Sequence, residues 1–241
     1  VVLTLRDRFG NFAHSSKSLL EFEARASGPG GVVVDRNMLD DGRIEFVLNT
    51  TVTGIYKVAV SCSDTKEDLK GCPFEARMGT GNLSQAGCTA TLQSITSSTK
   101  GPGAKAAAFG ACAAMAGEEI TAIVEARDRY GNSTQFSGEN VVVSAYGPAH
   151  MPAERNFEVA DIRSGRMALR AIFPRAGSYT VSVTVDGIPI ATSPLVLHVF
   201  PGSCETSRAV LRGDALNGIV ASKITKLLVQ TEDKYGNNCH V

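Results

Sequence analysis

One five-residue pattern, returning at domain-sized intervals, constrains this chain more than any other feature. Asp7-Arg8-Phe9-Gly10-Asn11 recurs as Asp128-Arg129-Tyr130-Gly131-Asn132 and again as Asp233-Lys234-Tyr235-Gly236-Asn237. The copies are 121 residues apart (7 to 128) and 105 apart (128 to 233). Other landmarks keep the same order: Gly54-Ile55-Tyr56 answers to Gly177-Ser178-Tyr179, Cys72-Pro73-Phe74 to Ser193-Pro194-Leu195, and Cys88 to Cys204. Such a period is too long for a solenoid unit and matches a whole domain, so the chain reads as a string of beads. Residues 1–80 are the later strands of one repeat. Residues 83–201 are a complete repeat with an inserted loop near 94–117, and 202–241 open a third.

Within each bead the apolar residues alternate. Tyr179, Val181, Val183 and Val185 take every second place, as do Met167, Leu169, Ala171 and Phe173. Ile44, Phe46 and Leu48, then Tyr56, Val58 and Val60, repeat the scheme in the first bead. A period of two puts one apolar face against a core and leaves one face polar, the mark of a half-buried strand. Leu39-Asp40-Asp41-Gly42 and Asp161-Ile162-Arg163-Ser164-Gly165 read as hairpin turns, and Gly-Asn in the repeated pattern supplies turn chemistry. The recurring Asp reads as a turn residue bonding nearby backbone N–H groups, because a calcium loop needs six or more oxygens. The Ala-rich run from Gly101 to Gly117 is the one helix candidate, but glycines and Pro102 punctuate it, so it reads as an inserted loop. The fold expected is all-β: tandem immunoglobulin-like antiparallel sandwiches.

Charge and composition exclude several functions. The 24 basic residues balance the 24 acidic ones, which gives no basic face for nucleic acid and no polybasic membrane signal. No run of 18 apolar residues is present, so a membrane would be reached only through a segment outside these residues. The first residues, Val1 to Asp7, lack the features of a signal peptide and an initiator Met, so the chain reads as part of something longer. The four histidines are scattered, no CxxC occurs, and no nucleophile sits near His150 in a catalytic arrangement. No enzyme activity, metal or cofactor is expected.

The order of elements resembles the filamin repeat: strand, Asp-x-Tyr/Phe-Gly-Asn turn, Val-rich strand ending in Gly147-Pro148, Gly-bearing hairpin, Gly177-x-Tyr179 strand, and Ser193-Pro194-Leu195 strand. The first bead keeps Gly28-Pro29 and Gly54-x-Tyr56 but carries Cys72 where the family's pattern has Ser. Bacterial invasin-like repeats share the Asp-x-x-Gly-Asn turn but match the Gly-x-Tyr and Ser-Pro pair less well. The filamin resemblance implies a protein partner added as a β-strand between the third and fourth strands, about Val141–Tyr146 and Asn156–Val159. The edge residues are Val141, Val143, Ala145, Asn156 and Glu158. It implies a cell-surface adhesion or recognition array, similar to Cys-bearing repeats of plant and algal gamete-surface proteins. The alternative is a cytoplasmic, actin cross-linking scaffold.

Cysteines and sequons bear on that choice. Cys62 and Cys72 lie at facing strand ends, and Cys88 and Cys112 bracket the inserted loop, so both pairs are candidate disulfides. Cys204 and Cys239 share the third repeat. Asn49, Asn82 and Asn132 head N-glycosylation sequons. Both features favour the extracellular side.

Overall fold

The computed structural model describes residues 1–6, 9, 22–94, 112–148 and 155–239. The first Asp-x-Phe-Gly-Asn copy (except Phe9), most of the inserted loop, and His150 lie outside the described residues. The chain forms two units, 1–81 and 82–241.

Each unit is built from the alternating runs. In the first, β1 (Val2–Leu3), β2 (Phe22–Ser27), β3 (Val33–Met38), β4 (Ile44–Asn49), β5 (Gly54–Cys62) and β6 (Phe74–Met78) make two three-stranded sheets, in the orders β1-β4-β3 and β2-β5-β6. Ile44, Phe46 and Val60 form the buried centre.

In the second unit the first sheet has the order β12-β13-β9-β7. Its strands are β7 (Thr89–Ser94), β9 (Glu119–Glu125), β12 (Glu158–Arg163) and β13 (Arg166–Ile172). The facing sheet runs β11-β10-β14-β16-β8, with β15 (Ile188–Pro189) beside β14. It comprises β8 (Cys112–Met115), β10 (Val141–Tyr146), β11 (Arg155–Asn156), β14 (Gly177–Val185) and β16 (Leu195–Phe200). Between them lie Ile120, Val124, Leu169, Val143, Val181, Val183 and Leu197, each 1% exposed or less. Full burial of one such side chain contributes about 1.5–3 kcal/mol. Phe173 stacks at a tilt against both Phe157 and Tyr179, with ring centroids 5.8 and 4.8 Å away. A further sheet follows, in the order β17-β18-β19, from β17 (Cys204–Arg212), β18 (Leu228–Asp233) and β19 (Asn238–Cys239). The one helical segment among the described residues is a short 3-10 turn, Asp214–Asn217. The fold is all-β and immunoglobulin-like.

One boundary read from the sequence needs correcting. The run assigned to the inserted loop ends in a strand: β8 pairs in parallel with β16, Leu197 opposite Cys112 and Phe200 opposite Met115. Ala114 and Ala116 are buried at 5% and 6% exposure. Small side chains suit a position where one sheet closes over the other, and an alanine run hides the period-two signal.

The paired sequence landmarks turn out to touch one another. Gly54 (φ 141°) and Gly177 (φ 147°) have backbones that favour glycine. A Cβ on Gly54 would come 2.6 Å from Pro29 Cγ, and one on Gly177 would come 2.7 Å from Pro148 Cγ. Two residues on, the Tyr56 hydroxyl donates to the Val52 carbonyl and that of Tyr179 to the Arg175 carbonyl, both at 2.8 Å. Gly-Pro and Gly-x-Tyr are therefore two halves of one corner, built alike in both units. The Cys72–Pro73 and Ser193–Pro194 peptide bonds are both cis.

Candidate functional site

The Val-rich edge was the expected partner surface, and the chain itself takes up half of it. β10 pairs along its whole length with β14 on one side. On the other side Ser144 pairs with Asn156 and Ala145 with Arg155, and Phe157 N donates to Val143 O at 2.9 Å. Val143 and Ala145 point into the core at 1% and 0% exposure, and Val141 is buried too; Val142 and Tyr146 face outward. Glu158 stands apart from these residues, at the start of β12 in the opposite sheet.

β12 is an edge strand, as β7 is at the other end of the same sheet. Among the described residues β12 pairs with β13 alone, from Glu158 opposite Arg170 to Arg163 opposite Arg166, with a register shift between Val159 and Asp161. All six of its residues are exposed, Val159 and Ile162 by more than half. Arg163 Nε reaches Asp161 Oδ2 at 2.9 Å. An unpaired strand edge offers backbone donors and acceptors to another strand. Alternation along β10 could identify a strand but not which of its sides the chain covers, because that depends on the path taken between β10 and β12.

The four cysteines expected to bridge are free thiols in this structure. Cys88 immediately precedes β7 and Cys112 opens β8, strands of opposite sheets. Cys88 is fully buried, with its sulfur 4.0 Å from the Arg127 carbonyl oxygen, which it faces as donor. Burial pushes both thiols up, so they stay protonated at neutral pH. Cys72 has a different task. Its sulfur accepts the Val60 N–H at 3.3 Å, as the Ser193 hydroxyl accepts the Val183 N–H at 2.9 Å. Cysteine thus does the work of serine ahead of the cis proline. The Cys62 thiol is drawn down by the backbone N–H groups of Thr65 and Asp64. Of the sequon residues, Asn49 and Asn82 are exposed, whereas the Asn132 side chain is bound into its turn.

That turn is the repeated motif. Asp128 Oδ1 accepts the N–H groups of Tyr130 and Asn132 at 2.9 Å, and Oδ2 accepts Asn132 Nδ2 at 2.8 Å. Asp233 does the same with Tyr235, Asn237 and the Asn237 amide, at 2.9, 2.9 and 2.8 Å. Gly131 and Gly236 supply the positive φ, 85° and 79°. The second of these turns also joins its sheet to the preceding sandwich. Gly202 N donates to Asp233 Oδ2 at 2.7 Å; Asn237 Nδ2 donates to Pro174 O at 2.8 Å, and Asn237 Oδ1 accepts Ala176 N at 2.9 Å. The Tyr235 ring lies against Gly117, where a Cβ would collide with it. Burial raises the Asp233 carboxyl, but hydrogen bonds from Asn237, Gly202 and Tyr235 outweigh it and hold the group below the usual carboxylate range. The motif's recurrence was legible in sequence. Its use as a joint was not, since Pro174 and Ala176 are about 60 residues away.

Among the described residues, no group of three or more His, Cys, Asp or Glu side chains could hold a metal ion. No described helix is long and apolar enough to cross a membrane.

No family model and no curated protein matches the sequence. Solved structures do. The Escherichia coli adhesin FdeC overlays 98% of this chain on 68% of its own, at 19% identity and a TM-score of 0.53. Invasin, a bacterial integrin-binding protein, overlays 98% of this chain on 43% of its own, at 16% identity and a TM-score of 0.44. The Lin-41 filamin domain, matched over its full length, covers 51% of this chain at 20% identity and a TM-score of 0.34. The first likeness supports the tandem sandwich fold; the other two overlays are too loose to bear on it.

Proposed function

We propose that this chain is a non-catalytic stretch of a filamin-type repeat array on the cell surface, acting in adhesion or recognition. Residues 83–201 are its complete repeat and 202–241 the opening strands of the next. A protein partner binds by adding a strand to the outer edge of β12. The observation that carries this site is the six-residue exposed strand with one side unpaired among the described residues. Backbone groups along that side give affinity, while Val159 and Ile162 give apolar contacts. FdeC is an adhesin, and the likeness to it supports the setting. The finer reading is gamete adhesion or fusion, and it rests on the resemblance of Cys-bearing filamin-like repeats to gamete-surface proteins. Exposed Asn49 and Asn82 are the glycan acceptors this setting would use.

The test is binding of the purified chain, fluorescently labelled, to intact source cells, compared with a V159K/I162K variant. Both side chains are more than half exposed, so the variant keeps the fold. Saturable binding that falls at least about tenfold in the variant is the expected result. Equal binding by both proteins would remove β12 as the site. Surface labelling of the natural protein only after permeabilisation would remove the cell-surface setting. A second reading, a cytoplasmic actin cross-linker, is favoured by the six free thiols; that outcome would support it.

A further inference from the structure

We propose that the outer face formed by β10, β14 and β16 is a self-association surface, through which two copies of this chain pack face to face. These strands and β8, which continues the sheet, contain no Asp, Glu, Lys or Arg, in a chain that is 20% charged. The opposite sheet differs. Its outer face carries Glu125 paired with Arg166, Glu119 with Arg170, and Asp161 with Arg163.

The register shows which side chains face water. Val143, Val181 and Leu197 are buried in the core, so the alternate positions point outward. Tyr146 lies opposite Thr180, and Thr180 opposite Val196, one row across three neighbouring strands. Val142 lies opposite Thr184. Tyr146, Val196 and Val142 are 50%, 47% and 37% exposed, and Thr180 is exposed with them. Polar groups on the face already find partners there: Ser178 Oγ and His198 Nδ1 are hydrogen-bonded at 2.8 Å, so this pair stays satisfied when water leaves.

The lack of charge selects the occupant. In a two-fold pair, each residue must tolerate the same surface on its own copy. A face with fixed charges meets like charges there and strips water from them; this face does neither. A strongly acidic or basic partner finds no counter-charge on these strands. Four strands about 4.8 Å apart, each about six residues long, present roughly 400 Å² per copy, so a pair buries on the order of 800 Å². That is less than a stable dimer needs, and the association is accordingly weak. Repeated along an array of beads, weak contacts add through effective concentration, which suits adhesion between surfaces that carry the same protein. The surface is separate from the β12 edge, which belongs to the opposite sheet.

The experiment is sedimentation equilibrium of the full chain in reducing buffer, from about 1 μM to about 1 mM. Reversible self-association with a Kd on the order of 10–1,000 μM is expected. T180K and T180E, at the centre of the face, should each weaken it at least about tenfold, and an equimolar mixture of the two should recover it. V196K, on the next strand, is a second probe with the same expected loss, and circular dichroism checks that each variant is folded. V159K/I162K, on the β12 edge, should associate like the wild type. A wild-type chain that stays monomeric throughout, or self-association unmoved by T180K and V196K, would overturn the surface. Loss of association in V159K/I162K would overturn it too, by moving the contact to β12.

Discussion

The sandwich of residues 82–201 and the sheet of 204–239 start alike and finish differently. Both begin with a Cys before or at the first strand, pair that strand with a second, and turn back at Asp-x-Tyr-Gly-Asn. The two aspartates have almost identical hydrogen bonds and are 1% and 0% exposed. Yet the first sheet faces a second and buries Ile120, Ala122 and Val124 completely, while in the other Leu228 and Val229 are 60% and 55% exposed. The turn is therefore a local product of five residues. Burial of the strands beside it requires an opposing sheet.

The largest effect that would sharpen this contrast is a pair of leucine truncations. Leu169→Ala, in the closed core, should cost about 2–5 kcal/mol. Leu228→Ala should fall within about 0.5 kcal/mol. Urea unfolding followed by amide exchange of each segment separates the two, and equal losses would erase the distinction.

Next comes the turn itself. Asp233→Ala should cost about 2–3 kcal/mol, because it leaves the N–H groups of Gly202, Tyr235 and Asn237 without their charged acceptor. Its pH dependence has a definite sign. The folded-state pKa of Asp233 lies below its unfolded value, so its stabilisation is present above about pH 4 and is lost as pH falls through the folded value. Exchange protection of 228–239 should drop there in the wild type and be already reduced, and flatter with pH, in the Ala variant. A wild-type profile as flat as that of Asp233→Ala would show that the carboxylate does not hold the joint.

The smallest effect concerns the residues before the two cis prolines. Cys72→Ser should change stability by less than about 1 kcal/mol, since Ser193 already accepts the equivalent N–H in the other unit. A larger loss, measured by denaturation in reducing buffer, would mean that the thiol does something a hydroxyl cannot.

Much of this was legible before any coordinates. The alternation of Tyr179, Val181, Val183 and Val185 marked a strand with one buried face, and all four are at most 5% exposed. The candidate edge was less so. Val141, Val143 and Ala145 carried a true strand signal, but the same period-two pattern that identifies a strand points those side chains inward. The Cys88–Cys112 bridge was expected from their places around the insertion; both are free thiols in this structure, at strands of opposite sheets.

The division has a physical cause. The sequence by itself determined what depends on near neighbours: strand alternation, the Asp-x-Tyr-Gly-Asn turns, the Gly and Pro corners and their repetition. Tertiary structure alone decided which strand side stays unpaired, that β8 closes the second sheet, and that Asn237 reaches Pro174. Each of these depends on residues far apart in the chain. Their meeting is set by how the strands are ordered, and no local pattern encodes that order.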